Sequence, residues 1–235
     1  MVACMRSISK HLSTLRPNHK KMIEVKTFTF NAFQENTYLL IDTSTKACII
    51  IDPGNSNPSE DNTLLSYITD EGLTPIRLIN THCHIDHVLG NHLIADRYGL
   101  PLEAHEGEIP VLEANIKVAQ MYGVPYTQSP QIASFLKEDT SFIFGEQEVH
   151  ILFTPGHSPA SICLSIPAQK ILIGGDVLFN GSIGRTDLPG GNFDTLLESI
   201  RTQLYVLDDE TIVYSGHGRS TMIGHEKRTN PFVQG

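Results

Sequence analysis

The segment Thr81-His82-Cys83-His84-Ile85-Asp86-His87 contains three imidazoles and one carboxylate within seven residues. Imidazole and carboxylate groups are the usual ligands of a borderline divalent metal such as zinc. His82 and His84 are two residues apart, so on an extended strand end they point to the same side. Asp86 and His87 fall in the first turn of a helical pattern, where the chain can turn them back toward the same cavity. The segment therefore predicts a metal site at a strand-to-helix junction.

Strand patterns surround this segment in two blocks. The first block comprises Glu24–Phe30, Asn36–Asp42, Ala47–Asp52 and Ile76–Thr81. The second comprises Ser141–Phe144, Glu148–Phe153, Ser161–Ile166, Lys170–Gly174 and Thr211–Ser215. Between them, roughly 106–135, the pattern predicts only helix and loop.

Helical patterns flank both blocks of strands. They cover Ile85–Tyr98 with Gly99 as terminator, Ile109–Tyr122, Asn192–Leu204, a stretch from an N-cap at Ser59 to near Gly72, and a short stretch after Ser220. The order favours an α+β fold with two sheets face to face and helices outside, a four-layer αββα sandwich, over one parallel sheet.

Composition limits the function classes. The chain has 235 residues and a formal net charge of −9, whereas general nucleic-acid binders carry a basic face. Four widely spaced cysteines without a C-x-x-C pair are typical of reduced thiols in a reducing compartment. No stretch approaches the roughly 18 apolar residues of a membrane span. We therefore expect a cytoplasmic protein without nucleic-acid or membrane partners.

Residues 1–21 differ from the rest of the chain. They contain basic residues but no acid, since the first acid is Glu24. Such a leader can mimic an organelle transit peptide. We favour a disordered tail, or an over-long start with Met22 as the true initiator. Residues 22–235 are then expected to form a single domain.

Three further ligand-type residues follow predicted strands. His157 lies in Thr154-Pro155-Gly156-His157-Ser158-Pro159, Asp176 follows Gly174-Gly175, and His217 lies in Ser215-Gly216-His217-Gly218. Each stands beside glycine, where the backbone can approach a site closely. Together with the histidine segment they complete a set of candidate ligands.

Together with Asp52-Pro53-Gly54, these motifs resemble the metallo-β-lactamase superfamily, and the likeness spans most of the chain. The resemblance implies that two metal sites share a bridging carboxylate, Asp176. It assigns His82, His84 and His157 to the first site and Asp86, His87 and His217 to the second. The implied cofactor is a pair of divalent ions, zinc before iron or manganese.

Hydrolysis is the chemistry that this resemblance implies. Two divalent ions about 3.5–4 Å apart can share a water and hold it as hydroxide near neutral pH. That hydroxide attacks an electrophilic carbonyl, so Asp86 and Asp176 act in catalysis through it and no protein nucleophile is needed. A general-base role for Asp86 is the alternative, but ligation fits its spacing better. Cys83 is expected to point away from the ligands and to pack.

The substrate is indicated by weaker signals. The loop after Asp176 and the Gly216-His217-Gly218 ending look like the short glyoxalase II-like hydrolases, which cleave thioesters of small thiols such as S-lactoylglutathione. Only eighteen residues follow His217, so the helical C-terminal domain of full-length glyoxalase II, which helps to bind glutathione, is expected to be absent. Arg185 could bind a substrate carboxylate or form an internal ion pair with Asp187.

Two alternatives come from other classes. Persulfide dioxygenases resemble this chain in Gly184-Arg185-Thr186-Asp187, and they use one iron held by the equivalents of His82, His157 and Asp176, a two-histidine, one-carboxylate set. A non-catalytic metal-binding protein is the third class, which the complete ligand set disfavours. The remaining histidines His105, His150 and His225 are expected to lie in polar surroundings without partners.

Overall fold

The computed structural model describes residues 22–235, so the predicted leader lies outside the described residues. The strands are β1 Ile23–Phe30, β2 Glu35–Asp42, β3 Ala47–Ile51, β4 Thr74–Ile79, β5 Leu102–Ala104, β6 Ile132–Phe135, β7 Ser141–Phe144, β8 Gln147–Phe153, β9 Ile162–Ile166, β10 Ile171–Gly175, β11 Leu178–Phe179, β12 Ser182–Ile183, β13 Ile212–Ser215 and β14 Thr221–Met222. The α-helices are α1 Pro58–Asp70, α2 Asn91–Tyr98, α3 Ile109–Tyr122, α4 Phe193–Ser199 and α5 Ile223–Thr229.

Two six-stranded sheets form the frame. Their strand orders are β1-β2-β3-β4-β5-β6 and β14-β13-β10-β9-β8-β7, with β11 and β12 in a separate hairpin. Strands β3 and β4 are parallel, and β10 is parallel to β13. Strand β8 also runs with β10, because each is antiparallel to β9 between them. The carboxyl ends of β8, β10 and β13 therefore lie at one edge of the second sheet.

The first sheet is buried on both faces, and alternate residues of its strands pack against different neighbouring layers. In β2, Leu40 packs toward the second sheet, in a cluster with Ile151 and Leu164. Its neighbours Leu39 and Ile41 pack on the opposite side. That side is covered by the helical residues Leu64, Ile68, Ile94, Leu112 and Ala119 of α1, α2 and α3. The period of two explains why these strands are continuously apolar.

The second sheet is covered by the remaining helices. Leu172 and Val213, from β10 and β13, pack with residues of α4 and α5. These helical residues are Leu196 and Ile223, together with Ile200 in the π turn Ile200–Leu204 that continues α4. The layers are therefore helix, sheet, sheet and helix, which confirms the predicted four-layer αββα sandwich.

The start of α1 differs from the prediction. Asn57, not Ser59, is the N-cap, and its Oδ1 accepts hydrogen bonds from the backbone N–H groups of Ser59 and Glu60, both at 3.1 Å. Pro58 occupies the first turn, where a missing N–H costs nothing. The predicted terminator of α2 is confirmed, because Gly99 adopts a left-handed conformation with φ of 65°.

The helical pattern after the histidine segment is broken into two pieces. A 3-10 turn covers Ile85–His87, and α2 begins only at Asn91. The backbone groups between them bond elsewhere: the His87 carbonyl accepts from Asn80 Nδ2 at 3.0 Å, and Gly90 N–H donates to the Pro53 carbonyl at 2.7 Å. Asp86 and His87 therefore lie in a separate turn, not in the first turn of α2.

Strands β5 and β6 were not expected from the sequence, and β6 lies in the stretch predicted as helix and loop. They have only three and four residues, and β6 is mostly exposed at the edge of its sheet. Such short strands show no readable periodicity.

Candidate metal centre

The candidate ligands meet where strands of both sheets end. His82, His84, Asp86 and His87 follow β4, while His157, Asp176 and His217 follow β8, β10 and β13 respectively. The predicted ligands form two trios, His82, His84 and His157 in one and Asp86, His87 and His217 in the other, and Asp52 forms a third such group with His82 and His87. In each trio the ligand atoms lie within 4.8 Å of one another. The structure thus brings together all seven predicted ligand residues, since Asp176 contacts both trios.

The first trio consists of three imidazoles. The ring centroid of His82 lies 4.9 Å from the ring centroid of His84 and 4.9 Å from that of His157. His84 Nδ1 lies 2.8 Å from His157 Nε2. The outward nitrogens of two rings are anchored: His82 Nδ1 is 3.1 Å from Thr81 Oγ1, and His157 Nδ1 is 2.7 Å from the Arg185 carbonyl oxygen. This anchoring orients the inward nitrogens toward a common point.

The second trio contains a carboxylate and is backed by another. His217 Nε2 lies 3.1 Å from Asp86 Oδ2, and its Nδ1 lies 3.1 Å from the Phe33 carbonyl oxygen. His87 Nε2 is 3.7 Å from Asp86 Oδ2, while its Nδ1 is 3.2 Å from Asp52 Oδ2. Each ring again has one anchored nitrogen and one directed inward.

Asp176 stands between the trios. Its Oδ2 is 3.5 Å from His157 Nε2 and 3.4 Å from His217 Nε2, and its Oδ1 is 3.5 Å from His87 Nε2. The carboxylate fits only because residue 216 is glycine: a Cβ there would lie 2.1 Å from Asp176 Oδ1. One carboxylate thus faces ligands of both trios.

Two imidazoles of the first trio, His82 and His84, are held neutral. Burial lowers the pKa of His82 well below its ordinary value. Burial and the neighbouring His157 lower the pKa of His84 to about 3. A neutral imidazole keeps a free lone pair, which is the form that binds a metal ion.

Carboxylates dominate the second trio. Burial alone would raise the pKa of Asp176, but the His87 and His217 imidazoles hold it well below its ordinary value. Burial opposes protonation of His217, yet the hydrogen bonds to Asp176 and Asp86 raise its pKa to about 9. The carboxylates are therefore ionised and supply negative charge to the centre.

The donor set fits divalent cations. Six buried side-chain atoms of residues 22–235 have no hydrogen-bond partner, and three of them are His82 Nε2, His87 Nε2 and Asp176 Oδ1. Each such atom costs about 1–3 kcal/mol when it is left unsatisfied. These three atoms belong to candidate ligands and are directed toward the centre, whereas the other nitrogens of His82 and His87 are anchored outward by Thr81 and Asp52. Imidazole nitrogens and carboxylate oxygens in this arrangement match the preferences of zinc and of first-row divalent metals.

Sequence reasoning did not find the role of Asp52. It lies directly after β3, adopts a φ of 49°, and is nearly fully buried. Its Oδ1 accepts from the Thr81 backbone N–H at 2.7 Å, its Oδ2 accepts from Thr81 Oγ1 at 2.6 Å, and Oδ2 also contacts His87. The only indication in the sequence was an acidic residue in the turn-forming motif Asp52-Pro53-Gly54, because the partners of Asp52 are distant in sequence.

The Arg185 guanidinium does not contact either trio. Its Nε and one terminal nitrogen donate to the two carboxylate oxygens of Asp187, at 2.7 and 2.8 Å. Both side chains are exposed, at 57% and 69%. Only the backbone carbonyl of Arg185 reaches the centre, through His157. The internal ion pair considered from the sequence is present.

The other predicted packing roles differ in outcome. Cys83 is buried in the core beneath α3, as expected, and burial raises the pKa of its thiol well above the ordinary value. The expectation that three histidines lack partners was wrong. His105 Nε2 lies 3.1 Å from Glu138 Oε2, and its ring packs on Phe153 with centroids 4.8 Å apart. His225 Nε2 lies 3.3 Å from Thr229 Oγ1, and His150 Nε2 lies 3.7 Å from Glu148 Oε2. Within residues 22–235, every helix is too short or too polar to cross a bilayer.

A sandwich that surrounds one shared carboxylate with two ligand trios defines a class of metal-dependent proteins. Residues 30–217 match the metallo-beta-lactamase superfamily, and the chain belongs to this superfamily. This confirms the resemblance drawn from the sequence.

Two relatives illustrate the family. The probable metallo-hydrolase YqgX of Bacillus subtilis is 38% identical over 204 residues, which cover 86% of this chain and 93% of the relative. The hydroxyacylglutathione hydrolase GloC of Haemophilus influenzae is 36% identical over 219 residues, which cover 90% and 98%. Family and relatives support a metal-dependent hydrolase.

Solved structures show the same architecture. The crystal structure of BLEG-1, a B3 metallo-beta-lactamase, has a TM-score of 0.82 and 34% identity, covering 90% of this chain and all of that one. TTHA1623 in a di-iron-bound form has a TM-score of 0.80 and 34% identity, covering 89% and 100%. ETHE1 from Myxococcus xanthus is more distant, with a TM-score of 0.71 and 25% identity, covering 88% and 83%.

Proposed function

We propose that the protein is a two-metal hydrolase that cleaves a thioester of a small thiol, of the S-lactoylglutathione type. The observation that carries the proposal is the position of Asp176, within 3.5 Å of ligand atoms from both trios. A hydroxyacylglutathione hydrolase among the relatives, matched over 98% of its length, supports the thioester as substrate.

The protein's own residues would hold the ions and leave one side open. The ligand side chains of His82, His87 and His157 are buried, whereas His84 and His217 are partly exposed. We infer that substrate approaches from the side of His84 and His217. Bound there, the ions would polarise a carbonyl oxygen and activate a water for attack on the carbonyl carbon.

The residues also exclude a covalent route through the nearest thiol. Cys83 lies between two ligands in sequence, but its side chain packs in the core below α3, away from the centre. The step that remains is direct attack by water, with acid and thiol as products. Asp86 and Asp176 hold the site negative around His217, which they contact at 3.1 and 3.4 Å.

A persulfide dioxygenase is the second candidate, because His82, His157 and Asp176 meet in the structure and could hold one iron. A second complete trio favours the two-metal hydrolase instead. The test is metal analysis of the purified protein with two assays, S-lactoylglutathione hydrolysis and oxygen uptake with glutathione persulfide. We expect two ions per chain and hydrolysis. One iron per chain with oxygen consumption would replace the proposal by the second candidate.

We propose further that Arg185 releases the carboxylate of Asp187 and binds a carboxylate of the substrate in its place. Arg185→Ala is expected to raise KM several-fold and to leave kcat nearly unchanged, since a contact made equally in the ground state and the transition state is lost. The matched variant Asp187→Asn frees the guanidinium and is expected to lower KM. An unchanged KM in both variants would leave the ion pair as a surface contact without a role in binding.

A further inference from the structure

Glu108 carries a buried carboxylate that is remote in sequence from every candidate ligand. It ends the 3-10 turn Glu106–Glu108, just before α3, and is fully buried. Its Oε2 accepts from the Cys83 backbone N–H at 2.8 Å, and its Oε1 accepts from the Ala160 N–H at 2.9 Å. The Ser158 hydroxyl lies 2.6 and 2.8 Å from the two oxygens.

These three partners all border the first trio. Cys83 lies between His82 and His84, and Ser158 directly follows His157. One carboxylate therefore joins the loop after β4 to the loop after β8, and these are the two loops that supply the three imidazoles. Residues of the second trio donate no hydrogen bond to Glu108 among the contacts described for residues 22–235.

The same segment holds the histidine loop at a second point. Asn115 of α3 donates its Nδ2–H to the Cys83 carbonyl oxygen at 2.9 Å, so both peptide groups around Cys83 are fixed. Gly107 lets the turn approach the other loop closely, since a Cβ there would lie 2.6 Å from Ala160 Cβ. The 3-10 turn is thus packed directly against the Ala160 side chain in the loop of His157.

We propose that Glu108 is a positioning residue that sets the distance between the two loops of the three-histidine trio, and so its affinity for a metal ion. A buried carboxylate is costly unless it is well hydrogen-bonded, and burial raises the pKa of Glu108. Its hydrogen bonds connect it to the two loops that carry candidate ligands rather than to a cationic side chain. The inference rests on the proposed metal site but not on the proposed reaction.

The test is metal binding to the metal-free protein, with Zn²⁺ titrated against a chromophoric chelator and Co²⁺ absorption recorded in parallel. Glu108→Gln places an amide NH₂ against groups that are themselves donors, so at least one loop contact is lost. We expect one ion to bind about 10–100-fold more weakly, the usual effect of a lost outer-shell partner. The other ion should bind within threefold of the wild type, and the Co²⁺ spectrum of the weakened site should change.

Glu226→Gln is the matched control. Glu226 is also fully buried and also accepts from a backbone N–H, that of Gly181, and from a hydroxyl, that of Thr221, but its partners do not border either loop of the first trio. The Glu226→Gln variant should have a lower melting temperature than the wild type and an unchanged affinity for each of the two ions. If Glu108→Gln fails to fold, Ser158→Ala removes one contact of the same carboxylate and should weaken the same ion by a smaller factor.

Three results would overturn the inference. They are unchanged affinity for both ions despite a lower melting temperature, equal weakening of both ions, or the same pattern in Glu226→Gln. A wild-type protein that binds no divalent ion would overturn the inference and the metal site together. Two bound ions without thioester hydrolysis would reject only the proposed reaction.

Discussion

The two trios have the same number of ligands but different surroundings. In the first, the outward nitrogens of His82 and His157 meet neutral groups, a hydroxyl and a carbonyl oxygen. In the second, His87 Nδ1 faces the carboxylate of Asp52 at 3.2 Å, and His217 Nε2 lies 3.1 Å from that of Asp86. The first trio is therefore anchored by neutral groups, and the second is surrounded by carboxylates.

Because of this difference, two ions bound at the one centre would experience unlike surroundings. Three imidazoles suit zinc, whereas carboxylate oxygens also suit harder ions such as manganese. We expect the two positions to differ in metal preference, even though they share Asp176. The following predictions test that contrast, from the largest expected effect to the smallest.

Asp176→Ala removes the group common to both trios. We expect both ions to be lost and hydrolysis to fall to background, because three inward nitrogens lose their shared carboxylate neighbour. Metal content after gel filtration and the S-lactoylglutathione assay measure the two effects. Retention of both ions would show that the trios are independent and that Asp176 is not a bridge.

His157→Ala and His217→Ala separate the trios. After His157→Ala the second trio remains whole and rich in carboxylates, so the remaining ion should be exchanged readily between zinc and manganese. After His217→Ala the remaining ion sits among imidazoles and should strongly prefer zinc. Metal analysis of both variants after equilibration with equal amounts of zinc and manganese measures this preference. The same preference in both variants would remove the contrast between the trios.

Asp52→Asn removes the charge behind His87. Asparagine tolerates the left-handed φ of 49°, so the backbone is preserved. We expect about 10–100-fold weaker binding of one ion, measured by the same chelator competition. Asp42→Asn is the control, since Asp42 is a nearly buried turn carboxylate bonded to Ser44 and Thr45. Equal effects in the two variants would mean that Asp52 acts only through stability.

Glu35→Gln is expected to have the smallest effect. Glu35 lies 3.8 Å from His87 Nδ1, beyond hydrogen-bond distance, and burial raises the pKa of its carboxyl well above the ordinary value. The neutral amide has the shape of the protonated acid and can still accept from Thr37. Metal affinity should stay within threefold of the wild type. A tenfold loss would show that Glu35 is ionised and supports His87 as Asp52 does.

The layers and the clustering of the candidate ligands could be predicted from the sequence because both are encoded locally. Four ligands are adjacent in the chain, and the others follow continuous apolar strands beside glycine. The roles of Asp52 and Glu108 could not be predicted, since they depend on contacts with residues 29 and 25 positions away. Periodicity along the chain does not record such pairings.

The same limit explains the errors within the fold. The turn Ile85–His87 separates from α2 because Asn80 and Pro53, from earlier in the chain, compete for its backbone groups. His105 gained a partner from Glu138, which lies beyond α3 and β6. In each case a tertiary contact replaced the local preference.

The division of ligands between the sheets has a consequence for assembly. Each trio combines residues that follow β4, in the first sheet, with a residue that follows a strand of the second. An ion in either trio would therefore join the two halves of the chain as a cross-link does. Such an ion binds only after the sheets have docked, so it slows their separation and adds to stability by mass action. Two fragments divided between β6 and β7 should then reassemble more tightly when divalent metal is present.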